Sequence, residues 1–181
     1  MSEIVILSGS PSEASRSDLV LKYIGVLLKN EGFSVTHLSV RDVPQEDLFS
    51  GRYGSPEIAE ISRLIHEAKG VIVGSPVYKA AYSGVLKALI DLLPQDVLQN
   101  TPVLPLMTGG SSAHLLALEY TLKPLLATLK AQNLKGLYLV DSQIDKQHPE
   151  HPVIDEELLQ RLKKQTFYFA EIIQKQQAIA Y

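Results

Sequence analysis

The chain has 181 residues, of which 45% are hydrophobic and 20% charged, a formal net charge of −3 and no cysteine. This length fits one domain spanning residues 1–181, large enough to bury a core without disulfides. The absence of cysteine excludes a disulfide framework, a thiol nucleophile and iron–sulfur clusters, and the small net charge does not favour a nucleic-acid partner.

Apolar runs alternate with helical patterns along the chain. Five apolar runs predict buried strands, over residues 4–7, 33–40, 70–74, 102–107 and 135–140. Helical patterns lie between and after them, over residues 19–28, 55–69, 84–93, 113–132 and 154–177. Gly32 is a candidate cap for the end of the first helix, and Ser55 has the residue type of a helix N-cap. Residues 41–54 contain proline and glycine and predict a loop.

This alternation predicts a parallel α/β sheet with helices on both faces. In such sheets, ligands bind beyond the carboxyl ends of the strands, where the strand order reverses. The loops to inspect are therefore residues 8–17, 74–84, 108–114 and 141–152.

The loop after the first strand is rich in serine. Hydroxyls follow one another closely at Ser8, Ser10, Ser12, Ser15 and Ser17, and Arg16 adds a positive charge. Together with the N-terminus of the following helix, these groups suit a phosphate. The loop has neither the GxGxxG of dinucleotide folds nor the GK[ST] of nucleotide triphosphatases. A serine-rich turn that merely caps the helix remains the alternative.

The loops after the third and fourth strands suit a planar ring. The first of them holds Tyr78, Lys79 and Tyr82, and the second holds Gly109 and Gly110, which allow close approach of the backbone to a ligand. The alternatives are a surface turn with packed tyrosines and a flexible turn that Ser111 or Ser112 follows as N-cap. Together, the three loops describe a mononucleotide site, and FMN fits a sheet of strand order 2-1-3-4-5.

Four segments resemble the NADPH-dependent FMN reductase family of flavodoxin-like proteins. They are "GSPSEASRS" (9–17), "SPVYKAAYSGVLKALIDLLP" (75–94), "LPLMTGGSSAHLLALEYTLKPLLATLKAQ" (104–132) and "DSQI" (141–144). Within that family, the likeness is greatest to the flavin reductases of bacterial alkanesulfonate monooxygenase systems. The resemblance implies a five-stranded flavodoxin-like fold, FMN and NADPH or NADH as cofactors, and a homodimer or homotetramer.

The resemblance also implies where FMN binds. The phosphate would lie among the serines of the first loop and Arg16: Ser8, Ser10, Ser15 and Ser17. The isoalloxazine ring would lie against Pro76, Val77, Tyr78 and Lys79, with Ser83 nearby, and against Thr108, Gly109, Gly110 and Ser111 on its other edge. The family often has an arginine where this chain has Ser12, so either Arg16 alone supplies the charge or the phosphate is bound more weakly.

The long helical pattern contains a proline, Pro124, which removes a hydrogen bond to Tyr120. A kink or a π-bulge is therefore expected between residues 117 and 124, and the family resemblance matches Tyr120 to an inserted tyrosine in a π-helix at a subunit interface. That feature is associated with flavin that passes through the site as a substrate. Glu119 and Lys123 are spaced as a structural ion pair. His148 and His151 are separated by proline and are not expected to bind a metal.

The expected activity is hydride transfer from NADPH or NADH to FMN, with the reduced flavin delivered to a partner monooxygenase in sulfonate desulfonation. No catalytic side chain is required, because the cofactors carry the chemistry and the backbone N–H groups of Gly109 and Gly110 would stabilise charge on the reduced ring. The alternatives are an azo- or quinone reductase that retains FMN, a non-catalytic FMN electron carrier, and a phosphate-binding regulatory domain. Without a signal-peptide pattern or an apolar run of ~20 residues, a cytoplasmic protein with no membrane contact is expected.

Overall fold

In the computed structural model, which describes residues 3–179, the apolar runs form one parallel sheet. Its strands are β1 (Ile4–Ser8), β2 (Val35–Ser39), β3 (Gly70–Pro76), β4 (Pro102–Gly109), β5 (Gln132–Asn133) and β6 (Leu137–Val140). The order is β2-β1-β3-β4, and β5 and β6 both pair with the outer side of β4. The predicted order 2-1-3-4-5 is confirmed, with β5 and β6 sharing the fifth place. Gly136 lies between β5 and β6 with a φ of 79°, so the two segments do not form one continuous strand.

Helices cover both faces of this sheet. They are α1 (Arg16–Asn30), α2 (Gln45–Ser50), α3 (Pro56–Glu67), α4 (Gly84–Ile90), α5 (Lys123–Thr128) and α6 (Glu156–Ile179). Val5 and Leu7 of β1 belong to a core that includes residues of α3, α4 and α5. Ile4 and Ile6 belong to a second core with residues of α1 and α6. Because successive side chains of a strand point to opposite faces, a continuous apolar run serves both cores.

The prediction of a loop over residues 41–54 is wrong. A short 3₁₀ turn, Val40–Asp42, follows β2, and α2 occupies Gln45–Ser50. Pro44 is the N-cap of α2, and Gly51 ends the helix in the left-handed conformation, at φ 64°. The proline and the glycine that suggested a loop therefore mark the two ends of a helix only 6 residues long.

The prediction of one continuous helix over residues 113–132 is also wrong. A 3₁₀ turn (Ser112–His114) comes first, a π-helix (Leu118–Leu122) follows, and α5 ends at Thr128. The N–H of Lys123 donates to the carbonyl of Leu118, five residues back, as a π-helix requires. The predicted π-helix around Tyr120 is thus confirmed, and Lys123 Nζ lies 2.6 Å from Glu119 Oε1 in the predicted ion pair.

Two other helix ends lie where the capping residues predicted them. Ser55 is the N-cap of α3, where its Oγ accepts a hydrogen bond from the N–H of Ile58. Gly32 lies one residue beyond the C-cap of α1, at φ 91°, and its N–H donates to the carbonyl of Lys29. Helix α4 ends at Ile90, three residues before the predicted end at residue 93. No helix within residues 3–179 is both long and apolar enough to cross a bilayer.

Candidate functional site

The loops after β1, β3 and β4 meet at the carboxyl edge of the sheet. Because these strands are neighbours, their ends lie side by side. The N–H of Gly9 donates to the carbonyl of Gly74 at 2.7 Å, and the N–H of Val77 donates to the carbonyl of Thr108 at 2.7 Å. The three loops whose sequence patterns suit a phosphate and a planar ring therefore form one continuous surface.

Ser83 connects the first two loops through buried hydrogen bonds. Its Oγ donates to the carbonyl of Gly9 at 2.5 Å and accepts a hydrogen bond from the N–H of Leu86, which caps α4. Its own N–H donates to Ser75 Oγ at 2.9 Å. Ser83 has no exposed surface. Its hydroxyl therefore holds the first two loops together, next to the place where the resemblance puts the ring.

The serines of the first loop are also engaged with one another. Ser10 Oγ accepts from the N–H of Ser12 at 3.2 Å and lies 3.3 Å from the carbonyl oxygen of Ser12. Ser15 Oγ caps α1 through the N–H of Asp18 and lies 2.7 Å from Ser17 Oγ. The side chains of Ser8, Ser10 and Ser17 are buried. These contacts between hydroxyls and backbone hold the loop in shape.

Arg16 is the first residue of α1, a helix of 15 residues. Its Nε is buried, and among the described residues no hydrogen-bond partner reaches it. A buried guanidinium nitrogen without a partner is costly, since it has lost its water. At a helix N-terminus, where backbone N–H groups also point outward, such a donor fits a phosphate group.

Arg41, which the sequence analysis did not single out, reaches the same loop from the turn after β2. Its Nη1 donates to the carbonyl oxygens of Ser10 at 3.1 Å and Ser12 at 3.0 Å. A signal existed in the sequence, because Arg41 directly follows a predicted strand that ends at the same edge of the sheet. The positive charge at this loop is therefore not limited to Arg16.

The second loop forms a tight hairpin. Tyr78 and Ala81 exchange backbone hydrogen bonds of 2.8 and 3.2 Å. Between them, Lys79 and Ala80 have φ values of 49° and 64°, as the two central residues of a type I′ turn require. The hairpin leaves Tyr78 47% exposed at the edge of the sheet. Pro76 and Val77, at its base, are half-buried.

The third loop is held by a tyrosine of β6. Tyr138 Oη donates to the carbonyl oxygen of Ser111 at 2.5 Å. Burial raises the pKa of Tyr138, and the charge of Asp141 adds to this effect, so the phenol keeps its proton. A Cβ added at Gly109 would lie 2.6 Å from Tyr138 Oη, whereas no described atom lies within 4 Å of a Cβ added at Gly110. Packing explains the first glycine, and the second faces open space.

The remaining candidate residues divide by exposure. Thr108 is 2% exposed and supports the loop from within, whereas Lys79 and Ser111 are exposed at the surface of the edge. His148 lies outside this group, in an exposed loop where its Nδ1 is 2.7 Å from Asp145 Oδ2.

A cavity of about 890 Å³ adjoins the first loop at Pro11 and Arg41 and extends between α2 and α4.

Comparisons with known proteins show which family the chain resembles. A family model for NADPH-dependent FMN reductase matches residues 2–145. The chain is 47% identical over 142 residues to an FMN reductase (NADPH) of Pseudomonas putida, covering 78% of this chain and 72% of that protein. It is 46% identical to an FMN reductase (NADPH) of Escherichia coli, covering 80% and 76%.

Solved structures give the same result. The apo form of an NADH:FMN oxidoreductase (EMOB) matches with a TM-score of 0.83 at 32% identity, over 93% of this chain and 88% of that one. An archaeal flavodoxin matches with a TM-score of 0.63 at 12% identity, a likeness that concerns the fold alone.

Proposed function

The chain belongs to the NADPH-dependent FMN reductase family, and we propose that it binds FMN across the three loops at the carboxyl edge of its sheet and releases the reduced flavin to a partner monooxygenase. Its enzymatic activity is that of an NAD(P)H-dependent FMN reductase. The observation that carries the proposed site is the continuity of the loops, since Gly9 bonds to Gly74 and Val77 bonds to Thr108.

The phosphate of FMN would bind at the first loop. Arg16 supports this placement, because its buried Nε has no partner among the described residues and a phosphate oxygen would satisfy it. The backbone N–H groups at the start of α1 would add further donors, and the helix dipole favours an anion there. The buried hydroxyls of Ser10 and Ser17 would hold these donors in place without contacting the phosphate.

The ring of FMN would lie between the hairpin and the third loop. When bound, FMN supplies a ring that accepts a hydride from the reduced nicotinamide. Val77 and Tyr78 offer apolar surface beside it, and Gly110 allows the backbone to approach its edge. The N–H groups of Gly109 and Gly110 would stabilise negative charge on the ring. The protein contributes position and electrostatics, and no side chain needs to transfer a proton.

Release of the reduced flavin would serve a flavin-dependent monooxygenase, and the sequence resemblance favours one that acts in sulfonate desulfonation. The π-helix supports this part of the proposal, since the resemblance associates it with flavin that passes through the site. Leu115, Leu116 and Tyr120 expose 47%, 57% and 75% of their surface beside it. We propose that a second copy of the chain covers this apolar surface, which gives a homodimer or homotetramer.

Steady-state oxidation of NADPH and NADH with varied FMN tests the proposal. A protein that releases its flavin purifies nearly colourless and shows a rate that saturates with added FMN. A yellow protein that oxidises NADPH only with a quinone or an azo dye would contradict release of the flavin and favour a reductase that retains FMN. Light scattering on the same sample measures the oligomeric state, and a monomer would contradict the proposed interface.

A further inference from the structure

We propose that Arg41 is a positioning residue that shapes the first loop for the phosphate and so makes the site select FMN over riboflavin. This inference rests on the proposed placement of the FMN phosphate at that loop. Arg41 would act through the loop backbone, since its contacts are with carbonyl oxygens.

The side chain of Arg41 starts from a firmly held turn. Ser39 Oγ accepts a hydrogen bond from the N–H of Arg41 at 3.2 Å, and Asp42 Oδ2 accepts one from the N–H of Ser39 at 2.8 Å. These two bonds form a capping box around the 3₁₀ turn. The guanidinium of Arg41 therefore extends from a firmly held turn after β2, and the side chain is only 27% exposed.

Arg41 fixes the direction of a peptide group in the first loop. The carbonyl oxygen of Ser12 points to Arg41 Nη1, at 3.0 Å. In a planar trans peptide, the next N–H points opposite to the carbonyl, so the N–H of Glu13 is directed away from Arg41. Ser10 Oγ, bonded to the N–H of Ser12, holds the same residue from its other side. These two contacts therefore set the direction of one backbone donor in the loop, the N–H of Glu13.

Arg41 also offsets a negative charge near the proposed phosphate position. Asp18, in the first turn of α1, is 5% exposed, and its Oδ2 lies 3.7 Å from Arg41 Nη2 and 3.1 Å from Lys22 Nζ. A buried carboxylate one turn from the N-terminus would otherwise repel a phosphate. Arg41 and Lys22 offset part of the charge of Asp18, whose Oδ2 is buried without a hydrogen-bond partner among the described residues. Arg16 is not engaged with Asp18 and remains available to the ligand.

These contacts concern the phosphate and not the ring. The ring would lie against the hairpin and Gly110, which belong to other loops. Riboflavin has the same ring without the phosphate. Loss of Arg41 should therefore weaken the binding of FMN and leave the binding of riboflavin nearly unchanged, a difference that a general loss of structure would not produce.

Titration of each flavin by fluorescence quenching, without nicotinamide, tests this inference. The variants are Arg41→Met, Arg41→Lys and the control Arg63→Met, which removes an exposed arginine of α3. Arg41→Met should raise the Kd for FMN about tenfold, equivalent to about 1.4 kcal/mol. The Kd for riboflavin should change less than about twofold. Arg41→Lys should fall between, because an ammonium can still donate to a carbonyl but lacks the fork of the guanidinium. With saturating FMN, kcat should stay within about twofold of its original value.

Several results would overturn the inference. Equal weakening of both flavins by Arg41→Met would indicate a structural role, and no change in either Kd would indicate no role. If Arg41→Met does not fold, the Kd values of Arg41→Lys for FMN and riboflavin are compared in the same way. Equal affinity of the unaltered protein for both flavins would overturn the placement of the phosphate as well as this inference, and it would be seen before any variant is compared.

Discussion

The hydroxyl of Ser83 donates a 2.5 Å hydrogen bond to the carbonyl oxygen of Gly9, and this bond connects the start of α4 with the turn after β1. Ser83 Oγ also accepts a hydrogen bond from the N–H of Leu86. One buried hydroxyl thus caps a helix and joins two of the three loops of the proposed site. Its removal would leave a buried carbonyl and a buried N–H without their partner.

Replacement of Ser83 by alanine should lower the free energy of unfolding by about 2 kcal/mol, since it removes an N-cap and a buried hydrogen bond. Urea denaturation measures this change. Ser62→Ala is the matched control, because Ser62 Oγ donates to the carbonyl of Ile58 within its own helix. Its loss should change the free energy by less than about 0.5 kcal/mol. Equal effects of the two substitutions would contradict the role given to Ser83.

The hairpin at Lys79 and Ala80 should become more stable with glycine. Ala80 has a φ of 64°, a conformation that costs a residue with a Cβ about 1 kcal/mol. Ala80→Gly should therefore raise the free energy of unfolding by roughly 0.5–1 kcal/mol. Ala59→Gly, in the exposed interior of α3, should lower it by about 1 kcal/mol. Thermal or urea unfolding measures both changes. A loss of stability in Ala80→Gly would show that the turn is not strained.

The two glycines of the third loop should respond differently to alanine. Gly109→Ala places a Cβ 2.6 Å from Tyr138 Oη and should destabilise the protein by roughly 1–3 kcal/mol. Adding Tyr138→Phe should recover part of this loss, since it removes the clashing atom. Gly110→Ala meets no described atom within 4 Å and should keep its stability.

The affinity of the Gly110→Ala variant for FMN tests where the ring binds. If the ring approaches Gly110 closely, Gly110→Ala should raise the Kd for FMN by about tenfold, or about 1.4 kcal/mol, without a change in unfolding. A Cβ at this position would occupy the space of the ligand. An unchanged Kd in a variant of unchanged stability would move the ring away from Gly110.

The pair formed by Asp145 and His148 should stabilise the protein over a limited pH range. The hydrogen bond and charge of Asp145 raise the pKa of His148 above its ordinary 6.5, and the hydrogen bond to His148 is the main cause that lowers the pKa of Asp145 below its ordinary 3.8. The histidine contribution is complete below pH 6.5 and is lost as the pH rises through the raised pKa. The aspartate contribution is complete above pH 3.8 and is lost as the pH falls through the lowered pKa.

His148→Asn should therefore reduce stability between about pH 4 and 6.5, with the difference fading above and below this range. NMR titration of the His148 ring measures its pKa directly. A value at or below that of an unstructured peptide would show that the pair does not form in solution.

Much of the fold follows from the sequence because the central strands β1, β3 and β4 are buried on both faces. Continuous apolar runs such as residues 4–7 have few other structural solutions, and their alternation with helical patterns implies the parallel order. The errors lie where local signals compete. Pro44 and Gly51 suggested a loop, but they lie at the two ends of a short helix. The apolar periodicity of residues 113–132 predicted one helix, whereas this segment contains a π-helix and ends in a strand.

The site was predictable at the level of loops and not of individual hydroxyls. Four loops at strand ends could be chosen from the sequence, and the three that suit a phosphate and a planar ring prove to be neighbours. Sequence spacing does not reveal that Ser10, Ser17 and Ser83 are buried, because that depends on how the loops pack together. Sequence spacing also does not reveal the partners of Arg41, because Ser10 and Ser12 are 31 and 29 residues away from it.

A crystal structure of the protein with FMN tests the account most directly. We predict electron density for the phosphate at the N-terminus of α1, within hydrogen-bond distance of Arg16 and the backbone N–H groups of the first loop. The ring should lie between Tyr78 and Gly110, with Arg41 still bonded to the carbonyl of Ser12. Density for FMN in the cavity between α2 and α4, with no ligand atom near Arg16, would contradict the proposed site.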